Sequence, residues 1–564
     1  VVDVNQKLVL SELAGSTEPV LITETIGNHF DKTATRYPDA LALVSRHQSV
    51  RWTYREMQQR VDDLACGLLA LGIEPGDRVG IWSPNCYEWV LTQFATARMG
   101  AILVCINPAY RSSELEYALN RVECKALVLA AKFNSSDYHA MLTELAPEIA
   151  DCQAGELQAS VLPHLRIVIS LAESKQGGMY RFADVCTMGS DADRSHLQQI
   201  SAQLDPHDPI NIQFTSGTTG NPKGATLSHY NILNNAIMCA ENMELGVEDR
   251  LCIPVPLYHC FGMVLGSLVC ACSGAAAIYP DEAFDPLTTL AAVEEERCTA
   301  LHGVPTMFIA QLDSPGFERF DVSSLRTGVM AGSTCPVELM NRVRMQMNMG
   351  AILIGYGQTE TSPINHMTLP DDPVEKRVES VGRPVPHCEI KIVDENGKVV
   401  PVGEKGEICA RGYNVMLGYW NDPERTRDTI DADGWLHSGD IGVMDADGYT
   451  QVTGRIKDMI IRGGENVYPR EIEEFLYGHP DILEVQVFGV PDERLGEVVC
   501  AWVQLREGNV MDEEGLRDFC RDKIAHFKIP RYVRFVEEFP MTVTGKIQKF
   551  VMRERMAEEL ARES

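Results

Sequence analysis

Positive charge is scarce in this 564-residue chain. Lys and Arg number 50 against 80 Asp and Glu, a formal net charge of −30. That balance argues against nucleic acid or an anionic membrane surface as the main partner, because either needs a basic footprint. No CxxC pair occurs among the 17 cysteines, and Cys270 and Cys272 form the only close pair. An odd, scattered set argues against a disulfide framework or a structural zinc site and fits a reducing, cytoplasmic setting. Residues Val1 to Glu18 lack a basic stretch followed by an apolar one, so no signal peptide is expected. Uninterrupted apolar runs are also missing. The nearest, Phe261 to Tyr279, is broken by Gly262, Gly266, Ser267, Ser273 and Gly274. It reads as a buried helix followed by a buried strand rather than a membrane span. Low-complexity segments and short-period repeats are absent.

What is present suits a large globular protein. Apolar residues make up 45% and charged residues 23%, and the length corresponds to three or four units of about 150 residues. Strand and helix patterns alternate through the first half. Met57, Val61, Leu64, Leu68 and Leu71 share one helical face between Trp52 and Gly72, with Thr53 and Glu56 at capping-box spacing. A strand at Arg78–Trp82, a helix over 84–99 closed by Gly100, a strand over 101–106, a helix over 114–122 and a strand over 125–129 follow. Such alternation predicts a parallel sheet with helices on its faces. After Val378, short strands at 389–393, 406–410 and 448–452 lie between Gly, Pro and Asp turns, which suits a small antiparallel barrel or sheet. A compact α+β unit follows Asp458.

The strongest local signal is TSGTTGNPKG, Thr215 to Gly224. The hydroxyls of Thr215, Ser216, Thr218 and Thr219, the turns allowed by Gly217 and Gly220, and the charge of Lys223 are the makings of an anion nest for a polyphosphate. The spacing is not that of a Walker A loop, since no GK[ST] follows Gly217 at the required distance. Further motifs come in order: GYGQTE at Gly355–Glu360, GYWNDPERT at Gly418–Thr426, GWLHSGD at Gly434–Asp440, GRIKDMIIRGGENVYP at Gly454–Pro469 and PMTVTGK at Pro540–Lys546. Glu360 is a hard oxygen donor suited to Mg²⁺ beside phosphates, and the Asp440 carboxylate can accept two hydrogen bonds from a ribose diol.

In their order and spacing these motifs resemble those of the adenylate-forming superfamily, over about 26–553. Within it the chain resembles the acyl-CoA synthetase branch, in particular the medium-chain acyl-CoA synthetase family member 2 type and bacterial fatty-acid–CoA ligases. The resemblance implies a luciferase-like α/β fold. Its large N-terminal part, 1–456, would hold two αβ-layered subdomains and a small β-barrel. A mobile α+β C-terminal domain, 457–564, would swing about a hinge at Lys457. It implies ATP and coenzyme A as substrates and Mg²⁺ as cofactor, with Glu360 and Thr215 as metal contacts. Gly355, Tyr356, Gly357, Gln358, Thr359, Gly332 and Ser333 would join the phosphate loop in binding ATP, Tyr356 by stacking on adenine, while Asp440 and Arg455 hold the ribose. Lys546 would be the mobile catalytic lysine, and His259 would lie beside the acyl-phosphate. Gly463, Gly464 and Glu465 would line the thiol channel.

The branch assignment rests on two comparisons of residues. The segment Tyr258–Gly262, YHCFG, has no acid to pair an amino-acid ammonium, whose burial unpaired is unfavourable. Gly357 stands where acetyl-CoA synthetases carry a pocket-shortening Trp, so a medium-to-long or branched acyl chain is expected, walled by His259, Cys260, Val304, Gly332 and Gly357. The expected partners are small molecules: a carboxylic acid, ATP and CoA. No nucleic acid or transmembrane segment is expected, a homodimer is compatible with the sequence, and the setting would be the bacterial cytoplasm. A luciferase-like adenylating oxygenase, or a ligase for aryl or other acids, remains an alternative.

Overall fold

The computed structural model describes residues 7–563 apart from 216–221, 334, 464, 493, 522 and 543–546. Two large sheets organise most of the chain. The first has eight strands in the order Tyr180–Arg181, Ile167–Ser170, Ala126–Leu129, Arg78–Trp82, Ile102–Cys105, Pro209–Thr215, Lys223–Ser228 and Gly418–Tyr419. It is parallel as far as Pro209–Thr215 and antiparallel beyond. The second has nine strands in the order Arg383–Pro384, Ile364–Met367, Ala351–Gly357, Thr327–Ala331, Ala300–Leu301, Arg250–Cys252, Ala276–Tyr279, Leu41–Ser45 and Val50–Thr53. Its central strands are parallel, as the strand–helix alternation requires.

The helices follow from local sequence. Tyr54–Ala70 is opened by the Thr53–Glu56 capping box, and Met57, Val61, Leu64 and Leu68 form its buried face. Tyr87–Met99 begins three residues later than the sequence suggests and ends at Gly100 in the left-handed region, φ 75°. Every residue of that helix after Tyr87 is buried. Its polar residues Glu88, Thr92, Gln93, Thr96 and Arg98 are buried together with the apolar ones, and the helix lies in a core shared by both sheets, with Val79 and Leu103 from one and Leu43, Leu251 and Val329 from the other. His229–Asn242 follows a strand of the first sheet and donates from Asn235 to the Ile364 carbonyl in the second, 2.8 Å away. The apolar stretch 261–279 is a buried helical run, with a wider π-helical turn at Met263–Leu268, that leads into the strand Ala276–Tyr279. Among the described residues no helix is long and apolar enough to cross a membrane.

The short strands after Val378 form a five-stranded antiparallel sheet in the order Glu12–Ala14, Cys388–Val393, Lys405–Gly412, Leu436–Met444 and Thr450–Arg455. The first strand pairs far along the chain, Leu13 facing Ile390. From Ile460 onward the chain builds a sheet and core of its own. Glu465–Val467, Ile460–Arg462, Gly496–Leu505 and Ile482–Asp492 are neighbours, and Tyr532–Phe535 runs parallel to Gly496–Leu505. Polar contacts tie it to the rest. Glu471 on the helix Pro469–Tyr477 pairs with Lys405 of the five-stranded sheet and, at 2.5 Å, with its own neighbour Lys528. The Lys405 ammonium also stands 4.0 Å from the Tyr468 ring. Arg470 donates to the Val452 carbonyl, and Arg506 faces Glu338 at 3.9 Å.

Three buried histidines hold this frame as neutral rings. His229 Nδ1 accepts the Ile26 N–H at 3.2 Å, and His302 Nδ1 accepts the Val329 N–H at 3.1 Å. His366 joins Asn365 at 2.7 Å to Thr450 of the five-stranded sheet at 3.0 Å. Burial pulls their pKa values down, to about 3 for His229, about 4 for His302 and about 3 for His366. The unfolded chain then takes up protons near pH 6.5 that the folded chain refuses, so stability falls as pH drops from about 6.5 toward those values. Thermal unfolding between pH 7.5 and 5 should show a falling midpoint. His366→Gln should lower the midpoint at pH 7.5 and flatten that slope. An unchanged slope would remove His366 from the account.

Candidate functional site

Of the expected site residues, Thr215, Gly332, Ser333, Tyr356, Gly357, Gln358, Thr359 and Glu360 lie at or just past the carboxyl ends of Pro209–Thr215, Thr327–Ala331 and Ala351–Gly357, the end of the strands where open α/β sheets take their ligands. Thr215 pairs directly with Lys223 where the antiparallel strands Pro209–Thr215 and Lys223–Ser228 meet. Ser216, Gly217, Thr218, Thr219 and Gly220 lie outside the described residues. Glu360, in the short turn Thr359–Thr361, comes from the second sheet and meets this hairpin. Its Oε1 accepts from the Thr215 hydroxyl at 3.4 Å and from the Tyr419 hydroxyl at 2.8 Å. The Tyr419 ring also lies 4.8 Å from the Lys223 ammonium. Burial, followed by the Glu360 charge, pushes the Tyr419 phenol far above its ordinary value, so it remains a proton donor.

At the other end, Asp440 is 4% exposed. Its Oδ2 accepts from the Tyr356 hydroxyl at 2.8 Å, and Arg455 Nε lies 2.9 Å from its Oδ1. Arg455 is its antiparallel partner on the next strand. Tyr356 and Asp440 therefore bind each other across two sheets, and burial with the Asp440 charge holds the Tyr356 phenol well above the usual range. Gly332 and Ser333 are exposed just past the strand Thr327–Ala331, with Gly332 at φ 90°. Ala331 pairs with Gly355, which sets the two loops side by side. Gln358 and Thr359 begin the turn that presents Glu360, and the Gln358 N–H donates to the Thr361 hydroxyl at 3.1 Å.

Among the residues expected to wall an acyl chain, Cys260 is buried, and its thiol donates to Gln213 Oε1 at 3.1 Å. The Gln213 amide reaches Met263 Sδ at 3.4 Å. Val304 is buried at the start of the helix Pro305–Leu312. His259 is half-buried and caps the helix that follows it, its Nδ1 accepting the Phe261 N–H at 3.2 Å. Lys457 is exposed, and desolvation and the Arg455 charge lower its pKa. Gly463 takes φ 61° in the exposed turn between Ile460–Arg462 and Glu465–Val467, and its N–H donates to the Leu495 carbonyl at 2.8 Å. Glu465 is exposed, while Gly464 and Lys546 lie outside the described residues.

Two residues at the site escaped the sequence reading. Tyr419 stands in the GYWNDPERT motif, which carried no assigned role. Gln213 lies two residues before Thr215, so strand alternation puts both on one face. One expectation needs correction. A Cβ on Gly357 would lie 1.9 Å from the Pro363 carbonyl oxygen and 2.9 Å from the Thr361 hydroxyl. The glycine is required by close backbone packing in the Glu360 turn, and the space beside it is not open acyl pocket.

Glu360 and Thr215 together offer one carboxylate and one hydroxyl. Mg²⁺ is commonly held by one or two carboxylates with the remaining positions left to phosphates and water, so this donor set fits the ion.

A family model for AMP-binding enzymes matches residues 30–420, and the model for the AMP-binding enzyme C-terminal domain matches 471–546. The chain belongs to the AMP-binding enzyme family. Within this family it is 47% identical to a putative acyl-CoA synthetase, YngI, of Bacillus subtilis over 95% of this chain and 98% of that protein. It is likewise 47% identical to the mitochondrial medium-chain acyl-CoA ligase ACSF2 of Danio rerio, over 98% and 92%. Among solved structures, the anthranilate CoA ligase AuaEII in complex with anthranoyl-AMP superposes with a TM-score of 0.85 at 28% identity, covering 97% of this chain and all of that one. These full-length relatives place the chain among AMP-forming enzymes of the ligase class.

The Gly357 geometry makes a specific prediction. Gly357→Ala should lower the thermal midpoint and reduce turnover alike for short and long acids, because the clash distorts the turn that carries Glu360. A selective shift toward short acids, measured across a chain-length series, would restore the pocket reading.

Proposed function

We propose that this protein is an ATP-dependent acyl-CoA ligase that activates medium-to-long or branched carboxylic acids through an acyl-adenylate, releasing AMP and pyrophosphate. The observation that carries the reading is that the Thr215–Lys223–Tyr419–Glu360 cluster and the Asp440–Tyr356–Arg455 cluster meet in one strand and its turn, Tyr356 on Ala351–Gly357 and Glu360 in Thr359–Thr361. The first suits a polyphosphate and the second a ribose, which are the two ends of ATP. The chain-length assignment draws on the medium-chain relative and on the apolar Cys260, Met263 and Val304, since each buried CH₂ of an acyl chain contributes about 0.8 kcal/mol. The anthranilate ligase among the structural relatives supports an aryl acid as the second reading.

The residues divide the work as follows. Lys223 and the hydroxyl-rich loop neutralise and orient the phosphates, and Thr215 and Glu360 would hold Mg²⁺, which supplies charge neutralisation on the phosphate oxygens when bound. Tyr419 keeps the Glu360 carboxylate pointed into the cleft. Asp440 fixes the ribose, and Tyr356 and Arg455 in turn fix Asp440. The substrate carboxylate then attacks the α-phosphorus, the bond to the bridging oxygen breaks, and pyrophosphate leaves. Lys546 supplies positive charge to that transition state. The C-terminal part, 457–564, next swings about Lys457, withdrawing Lys546 and bringing in the Gly463–Glu465 turn. The CoA thiolate attacks the acyl carbonyl, AMP leaves with the bonding pair, and the thioester forms.

Incubation with ATP, CoA and acids from acetate to C18, including branched and aromatic members, should yield a thioester by mass spectrometry with an optimum beyond C4. An aryl optimum would select the second reading, and AMP release without thioester would sink the ligase assignment. Lys546→Ala should depress adenylation about a hundredfold or more while sparing thioester formation from supplied acyl-adenylate. Equal loss of both half-reactions would refute the mobile role.

A further inference from the structure

The strand that carries Asp440 leaves its ladder just before that residue. Glu407 pairs with Ile441 and Cys409 with His437, so two steps along one strand face four along the other. Ser438, Gly439 and Asp440 are pushed outward as a bulge, with Gly439 in the left-handed region at φ 70°. The Ser438 hydroxyl accepts the Asp440 N–H at 3.0 Å. Beneath the bulge sits the Glu407 carboxylate. Its Oε1 accepts the Gly439 N–H at 2.9 Å, and its Oε2 lies 2.8 Å from His437 Nδ1. The other ring nitrogen of His437 faces Asp431 at 3.7 Å.

We propose that Glu407 is a positioning residue for the nucleotide: by tying His437 and Gly439 together it fixes the bulge that aims Asp440 at the ribose. The proposal rests on the reading of Asp440 as the ribose ligand. The Glu407 carboxylate bonds to His437 and to the Gly439 N–H, and it acts on Asp440 through the backbone between them. Glu407, Cys409 and His437 have donor atoms within 4.8 Å of one another, a set with metal-ligating chemistry. The hydrogen bonds give the carboxylate a different task, since each of its oxygens already serves one side of the bulge. The charge matters as well as the shape. A carboxylate offers acceptors on both oxygens, whereas a glutamine amide would turn a donor toward one of two donors.

The test is Glu407→Gln in the full-length enzyme, with Asp440→Asn and Cys409→Ser alongside. Glu407→Gln should raise KM for ATP about tenfold, leave KM for the acid and CoA within twofold, and leave the thermal midpoint nearly unchanged. With 2′,3′-dideoxy-ATP, which has no diol for Asp440 to hold, wild type and Glu407→Gln should share one KM. An equal KM rise for both nucleotides, or none for ATP, overturns the positioning role while leaving the ligase reading intact. If Asp440→Asn also leaves KM for ATP unchanged, the ribose reading itself fails. One equivalent of bound metal in wild type that Cys409→Ser lacks, measured by elemental mass spectrometry, would overturn the proposal by making the cluster a metal centre.

Discussion

A carboxylate almost shut off from water has to be answered by donors, and the donors that answer Glu360 come from the opposite sheet. Glu360 is 7% exposed. Thr215 and Tyr419 reach it from the first large sheet while its own backbone belongs to the second, and its carbonyl accepts the Met416 N–H at 3.0 Å. A buried anion left unpaired is strongly unfavourable, so the two sheets are held in the register that brings these groups together. The hairpin strands Pro209–Thr215 and Lys223–Ser228, Tyr419 beside Lys223 and the turn after Gly357 all meet at that carboxylate.

The same logic repeats at Asp440, with a third sheet. Tyr356 is the shared element: its strand ends in the Glu360 turn, and its hydroxyl binds Asp440 on the five-stranded sheet. The spacing between the Glu360 and Asp440 clusters is thereby set by a single strand. Sites on rigid elements hold their geometry better than sites on loops alone, and here loops supply the ligand contacts while strands supply the spacing.

Much of this architecture is legible in local sequence. The capping box at Thr53 and Glu56, the periodic face from Met57 to Leu68 and the left-handed stop at Gly100 encode their helix ends and faces directly. The helix Tyr87–Met99 is less plainly marked, because a segment buried on all sides has no polar face to give it a period. The strand Glu12–Ala14 carries no local sign of its partner, since pairing across nearly 380 residues is fixed only when the five-stranded sheet assembles. Tyr419, Gln213 and Glu407 are single polar residues on strands, and nothing in their neighbours distinguishes a donor aimed at a buried carboxylate from one facing water. Gly357 misleads for the opposite reason: a missing side chain reads as space, although the backbone of Pro363 occupies it. The order of the glycine- and hydroxyl-rich motifs made the nucleotide site readable, while the contacts that orient it appear only in three dimensions.

Among the described residues, the Lys405–Glu471 ion pair and the Arg470 hydrogen bond to the Val452 carbonyl tie the C-terminal region to the five-stranded sheet. Lys405 and Glu471 are 36% and 29% exposed, and the apolar clusters beyond Ile460 close among their own residues. Exposed pairs of this kind are worth about 0–1 kcal/mol each. Glu471 keeps Lys528 as a counter-ion when Lys405 departs. Dissolved salt, by screening the Lys405–Glu471 pair, weakens this tie between the C-terminal region and the five-stranded sheet.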